Sequence, residues 1–126
     1  MNGGLIMKTY LPILVVSMIF VCCIPAFAWI DHGHIAPGID FDDLEVSVRG
    51  KVTGVIENET EEHICISASI LFCGTGDKVR ADAYVSCLDV PPDAEAFFDT
   101  SLRNGNSSDA IHAFKLKWIV KNITVY

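Results

Sequence analysis

Positive charge is scarce in this sequence: 9 Lys and Arg stand against 16 Asp and Glu. Nucleic acid and anionic membrane surfaces are held by clustered basic side chains, so neither is expected as a partner. No Cys-x-x-Cys occurs, which leaves a dithiol redox motif without support. No nucleophile elbow surrounds any serine, and no nucleophile, base and orienting group fall into a catalytic pattern, so neither an enzyme nor a bound cofactor is expected. Helical periodicity and internal repeats are missing as well.

What is present begins with a leader. Lys8 is the only charged residue before Asp31, and an apolar stretch follows it, through Leu11–Val16 and Met18–Val21, to Ala26-Phe27-Ala28. One positive charge, an apolar stretch and small residues at the −3 and −1 positions read as a signal peptide over 1–28, cleaved after Ala28. Met7 also stands where a leader of more usual length would start. The run from Tyr10 to Ile30 reaches the roughly 20 apolar residues of a membrane anchor, but Pro12, Pro25 and the small-residue site argue against one. Lipidation of Cys22 or Cys23 needs a small residue just ahead; Val21 and Cys22 suit that poorly, so both cysteines read as apolar leader residues. A secreted or periplasmic protein is expected, without a stable membrane anchor after cleavage.

Removing the leader leaves 98 of the 126 residues, enough for one modest core, and leaves 8 basic residues against 16 acidic. Residues 29–43 are rich in Gly, Pro, His and Asp and lack a sustained period, which reads as a flexible arm before a domain over 44–126. From Leu44, residues Val46, Val48, Gly50, Val52, Gly54 and Ile56 share one parity, the signature of a half-buried strand. Ile64–Cys73 and Lys78–Val90 alternate likewise around Gly74-Thr75-Gly76-Asp77, a hairpin. Its expected register sets Phe72 opposite Val79, Ile70 opposite Ala81, Ala68 opposite Ala83, Ile66 opposite Val85 and Ile64 opposite Cys87. Pro91-Pro92 stops that strand. Further strands are expected over 94–102 and from His112 to Val120, separated by a polar loop at 104–109. The sum is an all-β, small immunoglobulin-like sandwich of about five to seven antiparallel strands.

Val52-x-Gly54-x-Ile56-x-Asn58-x-Thr60, then Ile66-x-Ala68-x-Ile70-x-Phe72, Lys78-Val79 and Pro92–Phe98, resemble the opening, hairpin and following strand of FxLyD-type domains. The departures are Cys73-Gly74 in place of Tyr-Asp and Asp93 in place of Gly. The resemblance spans roughly residues 44–120. It implies a small immunoglobulin-like sandwich of exported prokaryotic proteins and brings no catalytic residues.

Three clusters carry what chemistry there is. Cys65 and Cys73 lie about 26 Å apart on an extended strand, beyond the about 7 Å a disulfide spans. The straight register leaves Cys65, Cys73 and Cys87 as free thiols; a one-residue bulge would instead join Cys65 to Cys87 across the hairpin. His32-Gly33-His34, beside Asp31 and followed by Asp40, Asp42 and Asp43, is the most metal-like cluster, suited to copper or zinc. Cleavage one residue later would make His32 the third residue, as an amino-terminal copper site requires. Asn58-Glu59-Thr60, Asn106-Ser107-Ser108 and Asn122-Ile123-Thr124 match the glycosylation acceptor pattern, which matters only in a eukaryotic host, whereas the leader and the resemblance favour a prokaryote. The expected function is a non-catalytic interaction or envelope-scaffold module binding another envelope or extracellular protein; a weak copper or zinc carrier using His32 and His34 is the alternative.

Overall fold

The computed structural model describes residues 29–126; the expected leader, its expected cleavage site and Cys22 and Cys23 lie outside the described residues. The domain is all-β, with strands β1 (Gly33–Ala36), β2 (Ile39–Val46), β3 (Lys51–Asn58), β4 (Ile64–Cys73), β5 (Val79–Val90), β6 (Ala94–Asn104) and β7 (Lys115–Val125). One short helix, α1 (Ser107–Ile111), precedes β7. The strands form one antiparallel sheet in the order β1-β2-β3-β6-β5-β4-β7. Its β5/β6 junction is held by only two residue pairs, Asp82 with Asn104 and Ala83 with Leu102. The sheet therefore behaves as two layers, β1-β2-β3-β6 and β5-β4-β7, curled into a nearly barrel-like sandwich around a single core.

That core follows from strand parity. Val52 and Ile56 of β3 and Phe98 of β6 face Ile66, Ile70 and Phe72 of β4, all buried. Phe41 of β2 meets Trp118 of β7 at a ring-centroid distance of 5.1 Å, and Phe98 reaches the same indole at 6.1 Å. Gly54 is required where it stands, because a Cβ there would lie 2.8 Å from the Phe98 ring.

Four expectations need correction. Residues 29–43 are no flexible arm: β1 and most of β2 lie there, and Trp29 packs against Phe72 and donates from Nε1 to the Ala110 carbonyl at 3.0 Å. Ile39 and Phe41 share one parity, but Asp43 adopts φ 53° at a bulge and Leu44 is buried after it, so no single period runs through the strand. The strand assigned from Leu44 to Ile56 is two strands folded back at Ser47–Gly50. There Gly50 takes φ 82°, Ser47 Oγ accepts from the amides of Arg49 and Lys51, and Val48 is exposed.

The hairpin keeps its faces but not its register: Phe72 pairs with Ala81, Ile70 with Ala83 and Ala68 with Val85. A 3-10 turn over Thr75–Asp77, with Gly76 at φ 69°, lengthens the connection by one residue, so Cys73 pairs with Val79, and a bulge at Arg80 adds a second, which displaces these three pairings by two residues. Beyond it, Ser86 and Cys87 bulge opposite Ser67, so Leu88 and Val90, not Cys87, turn inward. Finally, part of the polar loop at 104–109 is helical. Asn106 caps α1 through a reciprocal capping box with Asp109, and Ala110 is buried beneath it.

The bulge decides the cysteines. With φ 48° and its amide bonded to Ser67 Oγ at 2.8 Å, Cys87 comes within 5.3 Å of Cys65, Cα to Cα, and the two form a disulfide. Cys73 is free and buried.

At one end of the sandwich Asn58 is buried among backbone groups. Its Nδ2 donates to the carbonyls of Glu62 (2.7 Å), Val90 (3.2 Å) and Pro91 (3.1 Å), and its Oδ1 accepts from Thr60 N and Thr60 Oγ1. One side chain thus ties the β3–β4 crossing between layers to the β5–β6 crossing. Asn58→Ala strips buried carbonyls of their donor, and a loss of about 3 kcal/mol is expected in denaturant unfolding. Closing a loop of sequence separation 22, the disulfide contributes about 3 kcal/mol. A chain beginning at Trp29 should show one titratable thiol, Cys73, and only after denaturation; reduction should lower its melting temperature.

Candidate functional site

The outer face of β1-β2-β3-β6 holds the densest charge. Strand pairing sets His34 opposite Asp40, Asp40 opposite Glu57, and Glu57 opposite Glu95, so one row crosses four strands with three carboxylates side by side. The next row is Asp42, Val55 and Phe97; the one after it is Glu45, Thr53 and Asp99. Directly opposed like charges destabilise a sheet. Here two such pairs are adjacent, and Glu59, just past the end of β3, adds another carboxylate beside Asp40 and Glu57. Oxygens of Asp40, Glu57 and Glu59 lie within 4.8 Å of one another.

Glu57 stands between two hollows. One, of about 380 Å³, is lined by Glu57, Asn58, Glu59, Asp93, Ala94 and Glu95. The other, of about 250 Å³, is lined by His32, Gly33, His34, Asp40, Phe41, Asp42 and Glu57. Loss of surrounding water pushes the Glu57 pKa up, and the charges of Asp42, Glu95, Asp40 and Glu59 push it further. His34 is raised as well, first by its hydrogen bond to Asp40 and then by the charges of Asp40 and Glu59. Lys51 answers part of this field from the rim, pairing with Asp99 at 2.8 Å.

The structure does not join His32 and His34 into one imidazole pair. His32 Nδ1 contacts its neighbour Asp31 at 3.1 Å, while His34 Nδ1 turns to Asp40. Of the acids near them in sequence, Asp40 and Asp42 line the same hollow as both histidines. Glu57, Glu59 and Glu95 went unnoticed in the sequence because they are far from the histidines along the chain. The outward parity of Glu57 on β3 and Glu95 on β6 is the signal that could have marked them. His63 stacks edge-on against Tyr126, at a centroid distance of 4.8 Å, and His112 ends α1 with Nδ1 on the Ser108 carbonyl. His63 follows Glu59 by only four residues, but neither histidine lines the hollows beside Glu57. No protein-family model, curated protein or solved structure matches the chain.

The two raised groups act on stability in the same direction. A raised folded-state pKa means the folded chain holds its proton more tightly, so stability falls as pH rises from the ordinary value through the raised one. For Glu57 that window opens above 4.5, and for His34 above 6.5. Glu57→Gln should therefore be more stable than the parent near neutral pH, by about 0.5 kcal/mol once solvent screening is allowed for. The difference should close below pH 4.5. Thermal melts across pH at low salt check both statements.

Proposed function

We propose that this chain is an exported, non-catalytic binding module, an interaction or scaffold protein of the cell envelope or its surroundings, and that it meets its partner with the acidic outer face. One observation carries the reading: the Asp40, Glu57, Glu95 row places like charges in register where folding gains nothing from them. Local choices that oppose stability are retained where a ligand repays them. The partner is a cationic protein surface, whose Lys and Arg side chains relieve the row, with Phe97, 64% exposed, offering apolar contact beside it. The leader and the likeness to FxLyD-type domains support export, and that likeness brings no catalytic residues.

A second reading has its own observation. Asp40, Glu57 and Glu59, with His34 beside them, offer three carboxylate oxygens and an imidazole at close quarters. This donor set suits a divalent cation that accepts oxygen ligands, calcium, manganese or zinc, better than the two-imidazole copper site expected from the sequence.

A labelled Lys-rich peptide is the probe for the first reading. Fluorescence anisotropy should show binding that weakens steeply between about 0.01 M and about 1 M salt. Glu57→Lys should cost at least about tenfold in affinity. Binding that ignores both salt and this substitution sinks the reading. Calorimetry with calcium, manganese and zinc tests the second: heat lost in Glu57→Gln supports it, and no heat beyond that of a His-x-His peptide overturns it.

A further inference from the structure

We propose that the cationic surface met by this face is a second copy of the chain, with β6 of one copy docked on β7 of the next. The inference rests on the cationic-partner reading above and names the partner. On β6 the exposed triad is Glu95, Phe97 and Asp99; on β7 it is Lys117, Ile119 and Lys121. Both run as charge, apolar, charge at i, i+2 and i+4, with opposite signs. Alternate residues of a regular strand are about 6.7 Å apart, so Lys117 and Ile119 can face a carboxylate and Phe97 of β6, while Lys121 lies at the bulge between Val120 and Asn122, beside that spacing. Phe97 is 64% exposed and Ile119 45%, so each apolar centre is uncovered in a single copy.

The free charges point to the same contact. Two other basic residues of the β5-β4-β7 side are paired within the chain, Arg80 with Asp109 and Lys115 with Asp77, while Arg103 of β6 pairs across the junction with Asp82 of β5. Among the described residues, the Lys117 and Lys121 side chains are in no ion pair or hydrogen bond, although the charge of Lys117 acts on Asp77; Arg49 and Lys78, in the turns before β3 and β5, are likewise in no ion pair. On the acidic side Glu95 is likewise without an ion pair, while Asp99 shares itself with Lys51, so Glu95 and Phe97 lead the contact. A Lys-rich outermost strand also discourages edge-to-edge pairing, which leaves the outer faces to make the association.

The two patches differ, so the contact is heterologous. Each added copy leaves one acidic and one lysine patch open, and growth continues unless a ring closes. Three residues a side is small beside the roughly 800 Å² per partner of a stable complex, so the association is weak and salt-sensitive.

Light scattering and sedimentation test it on the chain from Trp29 to Tyr126. The weight-average mass should rise with protein concentration at about 0.01 M salt and return to monomer at about 1 M. Glu95→Lys with Asp99→Lys should be monomeric, and so should Lys117→Glu with Lys121→Glu. Mixing the two should restore association, because the reversed patches match; this recovery also shows that both variants are folded. A parent chain that stays monomeric at low salt, or a mixture that does not associate, overturns the proposal. If such a monomeric parent still binds the Lys-rich peptide, self-association alone has failed; if the peptide is also unbound, the cationic-partner reading fails with it.

Discussion

The amide of Asn58 is the point on which the two layers of this sandwich depend. The chain passes between layers after β3 and again after β5, and each crossing leaves backbone carbonyls near the closed end of the core. Glu62, Val90 and Pro91 present theirs to the same buried side chain. Pro91 and Pro92 have no amide hydrogen, so the second crossing cannot bond to itself as a strand would. Thr60 locks the Asn58 carbonyl oxygen, which orients the amide toward its three acceptors. Because β5 and β6 pair at only two positions, far from this end, the side chain supplies a connection that the ladder does not.

Much of the architecture was legible in the sequence wherever a single period ran uninterrupted. Ile66, Ala68, Ile70 and Phe72, with Ala81, Ala83 and Val85, are buried as their alternation implies. What escaped was decided by residues whose backbone conformation their identity does not announce. Asp43, Asp77, Cys87 and Asp93 take positive φ without being glycine. At Asp43 and Cys87 the inward parity changes, so alternation counted across them assigns the wrong face. Asp93 stands where the resembling family has Gly, and its φ of 51° is a conformation that Asp tolerates better than most side chains.

The candidate site was legible only by half. His34 and Asp40 were visible because a tight turn at Pro37-Gly38 returns them to each other within a few residues. Glu57 and Glu95 were not, because their meeting depends on β3 pairing with β2 on one side and β6 on the other. Strand order of that kind is set by how the whole core closes. A sequence read locally offers the outward direction of each carboxylate but not the neighbour it will confront.

The burial of Asn58 bears also on glycan chemistry. Asn58-Glu59-Thr60 has the form of a sugar acceptor, yet in the folded chain the nitrogen that would carry the sugar is enclosed and bonded to three carbonyls. A transferase could reach it only before the layers close. A glycan found at Asn58 would then be a time stamp, marking a molecule intercepted during synthesis and barred by its sugar from completing the fold.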